Sequence, residues 1–204
     1  MTTPKLDGRR AKGEARRREI LQAAIELFAR GGFNSVSLGD VAKRVGITQA
    51  GILHYYPSKA ALLLAVLQER EDRNNEAIRR WQEQGSSALE SFVQILEENE
   101  KHPELVQLFV LLAAESTAEG HPGHDWFETR HNADGDGVVH ALHKLIDVDK
   151  LPDGIDVDMI ARWLYALPIG LGTRWVRDPT AFDRANDVAR FIDILRPYMR
   201  NVAS

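Results

Sequence analysis

SLGDVAKRVGITQAGILHYYPSK, residues 37–59, reads as two short helices joined by a glycine and closed by a proline. Ser37 is a good N-cap, and Asp40 stands three residues on, the spacing of a capping box. Leu38, Val41, Ala42 and Val45 recur at helical spacing and give one apolar face. Gly46 follows, where a helix end calls for positive φ. Ile47 can plug the space between the two helices, and Thr48 is a second N-cap opening a helix over 49–55. The first positions of that helix are small or hydrogen-bonding: Thr48, Gln49, Ala50 and Gly51. Pro57 ends it and Ser58 caps the next. This is the outline of a helix-turn-helix, which lays its second helix in the DNA major groove. The same spacing also fits a pair of packed helices in any all-α protein.

Charge distribution favours the first reading. The chain of 204 residues carries a formal charge of −4, but residues 1–60 sum to +6 and residues 61–204 to −10. A basic N-terminal quarter on an acidic remainder suits a DNA-binding end on a body that does not bind DNA. Lys5, Arg9, Arg10, Lys12, Arg16, Arg17 and Arg18 form the densest cluster, divided between a solvated face and phosphate contacts. Residues 1–13 are polar and are expected to form a disordered basic tail.

The stretch RREILQAAIELFARGGFNSVSLGDVAKRVGITQAGILHYYPSKAALLLAV, residues 17–66, resembles the DNA-binding domain of TetR-family transcriptional regulators. Ile20, Ala24, Leu27 and Phe28, then GGF, the capped second helix, GIT and YYPSKAALL follow the family order and spacing. The chain departs from the common pattern at Leu53, where many members have an aromatic, and at Tyr55-Tyr56, where many have His then Phe. His54 is displaced by one position, and its role stays open. The resemblance implies an all-α protein with an N-terminal three-helix helix-turn-helix domain over 14–60. A C-terminal helical ligand-binding and dimerisation domain would occupy 61–204. It implies that Ser37 and Lys59 anchor phosphates and that Thr48, Gln49, Ala50 and Gly51 face base edges, with Gln49 placed to pair with adenine. Tyr55 would reach the DNA backbone through its hydroxyl, and Tyr56 would pack between the third and fourth helices. One such domain reads one half-site, so a homodimer on a near-palindromic double-stranded operator is expected.

Beyond residue 60 the pattern stays helical, with no strand alternation. Long helical segments are expected over 60–84, 88–101 and 105–114, the last apolar on nearly every side, as a helix buried in a bundle would be. A further helix is expected over 125–146, weakened by the polar run ADGDG that holds Asp134 and Asp136. Near the C-terminus Ile160, Trp163, Leu164, Leu167, Leu171 and Trp175 make one apolar stripe, and Phe182, Val188, Phe191, Ile192 and Leu195 another. Pro168 falls inside the first of these helices and is expected to kink it. The resemblance implies that both helices pack against their copies in a second subunit. Ile160, Leu164, Leu171, Trp175, Val188, Phe191, Ile192 and Leu195 are the expected interface; the alternative is that the same stripes simply cover the core of one chain. It further implies a small-molecule pocket between the central helices, whose ligand releases the operator. The expected lining is Phe109, Leu112, Trp126, Phe127, His131, Trp163 and Leu167, which would suit an apolar or aromatic effector.

Other chemistries find little support. The chain has no cysteine, so thiol catalysis, disulfides and thiolate zinc sites are excluded. His121, His124, Asp125 and His131 offer metal-ligating types, but their spacing matches no helical ligand pair. A nucleophile elbow, P-loop and dinucleotide fingerprint are all missing, so neither catalytic residues, cofactor nor metal is expected. A helical enzyme or metal-binding protein with a merely structural helix pair is the alternative. No run of about 18 apolar residues occurs and no secretion segment opens the chain, so a cytoplasmic location without membrane contact is the default expectation.

Overall fold

The computed structural model describes the backbone of residues 4–131 and 137–200 and the side chains of 11–129 and 137–200. The described chain is all-α, with one isolated bridge between Ile146 and Met199. Helix α1 spans Pro4–Ser35, α2 Leu38–Val45, α3 Gln49–Tyr55 and α4 Lys59–Glu83. Then come α5 (Ala88–Glu100), α6 (Pro103–Glu115), α7 (His124–His131), α8 (Gly137–Leu145), α9 (Val157–Trp175) and α10 (Arg184–Leu195). Among the described residues no single helix is long and apolar enough to cross a membrane.

Local chemistry sets the ends of these elements. Ser37 and Asp40 form the reciprocal capping box at the start of α2, and Gly46 ends that helix in the left-handed region at φ 73°. Thr48 caps α3 by accepting the Gly51 amide, and Ser58 caps α4 by accepting that of Ala61. A second capping box, Ser87 with Glu90, opens α5. The tail expected over 1–13 is helical from Pro4 onward, contrary to the expectation of disorder. Pro4 suits a first helical turn, and Ala11, Glu14, Ala15 and Arg16 are strong helix formers, with Arg16 paired to Glu19 at 2.7 Å. The single helix expected over 125–146 is two helices, α7 and α8, and Asp134 and Asp136 lie outside the described residues. Helix α9 continues through Pro168.

Packing divides the interior unequally. The largest apolar cluster joins α1 to α4 around Ile20, Phe28, Val41, Ile52 and Leu63, and reaches into the following helices through Leu105, Leu108, Leu112 and Phe127. A second cluster joins α5, α8, α9 and α10 around Leu142, Ile160, Leu164 and Val188. Helix α6 therefore belongs to both halves: one flank closes the core of the N-terminal head, and another faces the body.

Candidate functional site

The α2–α3 pair presents an exposed edge. Thr48, Gln49 and Ala50 are exposed at the start of α3, while Ile52 is fully buried beneath them. Gly39 of α2 lies close to Gln49: a Cβ added there would stand 3.8 Å from the Gln49 side-chain oxygen. Tyr56 is buried, as expected of a packing residue, and carries the Arg17 guanidinium 5.5 Å from its ring centre. His54 is exposed and sets its ring edge-to-face against half-buried Tyr55, 5.2 Å away.

Two of the expected phosphate anchors are engaged within the chain. The Ser37 hydroxyl donates to Asp40 at 2.6 Å and accepts the Asp40 amide at 3.1 Å. The Ser37 hydroxyl and the Ser37 amide, both donating to the Asp40 carboxyl, hold it below the usual carboxylate range, so a negative charge sits beside Ser37. Ser37 thus serves its own helix, and a phosphate there would meet like charge. The Lys59 ammonium rests 4.2 Å from the Phe33 ring centre, a cation–π contact it would leave to reach DNA.

In the body, a cavity of about 1090 Å³ opens between α4, α5, α6, α7, α8, α9 and α10. Of the expected lining, Phe109 and Trp126 face it, with ring centres 6.3 Å apart. Leu112 and Phe127 instead pack into the core of the head, where their burial leaves no surface for a ligand. Trp163 is 41% exposed on the outer side of α9, and Leu167 packs against the second core. The side chain of His131 lies outside the described residues. Sequence reasoning missed the polar lining: Asn74 on α4, Asn99 on α5, Tyr165 on α9 and Arg184 on α10.

Arg184 is nearly fully buried, and its Nε donates to Glu100 at 3.1 Å. Burial pushes the Glu100 carboxyl above the usual range, against the pull of Arg184. Arg70 lies with its guanidinium 4.2 Å from the Phe109 ring centre.

The expected interface residues also need correction. Ile160, Leu164, Trp175, Val188, Ile192 and Leu195 are buried within the chain's own core, and Leu171 and Phe191 are half-buried against it. The outward faces carry Trp163 and Gly170 on α9 and the 66%-exposed Ile194 on α10.

His121 and His124 are occupied by local structure. The His121 ring accepts the Gly123 amide at 3.1 Å and meets Phe33 edge-on, and burial lowers its pKa. His124 bonds the Ser116 carbonyl at 2.8 Å. Among the described residues no three His, Asp or Glu side chains cluster as a metal site requires.

Residues 20–66 match the family model of bacterial regulatory proteins of the tetR family, a span that covers the core of α1, the capped pair and the start of α4. Residues 20–66 therefore carry a tetR-family regulatory domain. The regulator RutR of Escherichia coli (strain K12) is 29% identical over 111 residues, 52% of this chain and 52% of its own, so the match spans about half the length of that relative. TtgR of Pseudomonas putida is 27% identical over 202 residues, covering 91% of this chain and 92% of its own. The chain as a whole shares its fold with NalD, the secondary repressor of the MexAB-OprM multidrug efflux pump in Pseudomonas aeruginosa, which superposes with a TM-score of 0.67 at 22% identity over 93% of this chain and 99% of its own.

Proposed function

We propose that the chain is a transcriptional repressor that binds a near-palindromic operator as a homodimer and leaves it when a small molecule fills the central cavity. The observation that carries this reading is the exposed, capped start of α3 within the family-matched head. The division into a head over 14–60 and a body over 61–204 goes with it, and the boundary falls in the first turn of α4. Gln49 makes the base contact, Tyr55 and a released Lys59 contact the backbone, and Ala50 and Gly51 permit close approach to the groove. NalD, described as a repressor, supports the sign of regulation by analogy.

The test is fluorescence polarisation with the DNA upstream of the protein's own gene, over a range of salt. Gln49→Ala costs about 1–3 kcal/mol and relaxes sequence preference. Lys59→Ala weakens binding to all sequences and lowers the salt slope by about 1. Equal binding by wild type and the double variant at every salt concentration would sink the reading.

Dimerisation uses the outward faces of α9 and α10. Trp163→Glu with Ile194→Glu places charge at the centre of that contact, and sedimentation should then give a monomer that keeps its helical spectrum. A dimer that survives both substitutions would place the interface elsewhere.

A further inference from the structure

We propose that the central cavity selects an uncharged ligand with a ring-bearing apolar body and hydroxyl or carbonyl groups at its buried end, which rests on the reading of this cavity as the effector site. The apolar part of the wall includes Phe92, Phe109 and Trp126, ring surfaces against which a flat or cyclic body stacks. Neutral polar groups interrupt it, three of them well buried. Asn74 and Asn99 are only 8% and 6% exposed and line the cavity. The Tyr165 hydroxyl is buried and without a hydrogen-bond partner among the described residues. An amide offers both donors and an acceptor and a phenol both roles, so hydroxyls and carbonyls answer all three. A hydrocarbon would leave them dry, which buried polar groups tolerate poorly.

Charge argues in the same direction. Arg184 is already paired with Glu100, and its two further contacts, to the carbonyls of Pro168 and Leu96, are long at 3.4 and 3.5 Å. Arg70 is engaged on the face of Phe109. At the rim stand exposed Asp125 and Glu128 and half-buried Glu71. A carboxylate ligand would therefore give up its hydration beside cations that already have partners, and would pass acidic side chains on entry. A fixed cation would find carboxylates at the rim but, inside, neutral groups, the paired Arg184 and Glu100, and the Arg70 guanidinium.

Calorimetric titration of the full chain with four matched probes tests this: para-hydroxymethyl benzophenone, para-benzoylbenzoate, para-benzoylbenzyl trimethylammonium and diphenylmethane. The neutral alcohol is expected to bind about tenfold or more tighter than each of the others, the worth of one or two satisfied hydrogen bonds. Asn99→Leu and Asn74→Leu should erase that preference over diphenylmethane. Tyr165→Phe, which removes a single oxygen, serves if either leucine variant fails to fold. A charged probe or diphenylmethane binding as tightly as the alcohol overturns the ligand class and leaves the effector site standing. No binding by any of the four overturns the effector site itself.

Discussion

Replacing Arg184 by methionine, R184M, should lower the unfolding free energy by about 3–5 kcal/mol, because it strands Glu100 in the interior. The guanidinium is 6% exposed and the carboxylate 18%, and the Nε–Oε1 distance is 3.1 Å. Arg184 also reaches the carbonyls of Pro168 and Leu96 and lies 5.7 Å from the Trp175 ring centre, so one side chain on α10 ties α5 and α9 together. The effect should depend on pH in a determined direction. Burial already raises the folded pKa of Glu100, and Arg184 is what restrains the rise. A carboxyl with a raised folded pKa favours the fold below its unfolded value and loses that contribution as pH climbs through the folded value. In R184M the restraint is gone and the folded pKa climbs further. The cost of the substitution is therefore greatest at neutral and alkaline pH and shrinks toward the unfolded carboxyl value of about 4.3. Urea melts at about pH 5 and about pH 8 measure it directly. Equal losses at both values would mean that Arg184 acts through packing alone. Removing both charges, R184M with E100M, should recover most of the stability, because a matched pair of buried charges adds little beyond an apolar pair of similar size.

The head is legible in the sequence because its signals are local. A capping box spans four residues, and the left-handed cap at Gly46 is fixed within one turn, so both can be read from residues 37–46 alone. The body is legible as helices but not as a site. Asn74, Asn99, Tyr165 and Arg184 come from four helices, and only packing brings them to one wall. Leu112 and Phe127 have the chemistry of a pocket but serve the core of the head, since α6 faces two ways. The stripes on α9 and α10 mislead for a physical reason. Apolar periodicity reports the face that a helix buries in its own chain, and Ile160, Leu164, Val188 and Ile192 lie on that face. Opposite that face, Trp163 and Ile194 are exposed. The helical backbone from Pro4 onward is missed when polarity is weighed above helix propensity.

Glu115 is a contact that no local pattern could reveal, since its partner is 82 residues away, and removing it should loosen the head selectively. Its Oε2 accepts the Phe33 amide at 2.7 Å, at the GGF turn where α1 breaks at Gly32 ahead of the cap of α2. Gly32 stands there at φ 73° and ψ 175°, a region essentially reserved for glycine, and an added Cβ would come within 2.9 Å of the Glu115 carboxyl carbon. The Phe33 ring next to this turn meets His121, 5.1 Å away, and carries the Lys59 ammonium. A carboxylate at the end of α6 thereby fixes the turn on which the start of α2 and the position of Lys59 depend. Glu115→Ala removes a hydrogen bond to a charged acceptor, worth about 1.5–3 kcal/mol, from the stability of that turn. Amide exchange at Phe33 and through α2 should quicken by roughly tenfold or more, while amides of α9 and α10 keep their protection. Gly32→Ala should do more, adding backbone strain of about 1–3 kcal/mol to the clash. The double variant removes the clash and keeps the strain, so its cost should be less than the sum of the two. Hydrogen exchange resolved at the GGF segment decides the matter: unchanged protection at Phe33 in Glu115→Ala would mean that the turn is held by the Phe33 ring and its neighbours, and that α6 does not grip the head through this carboxylate.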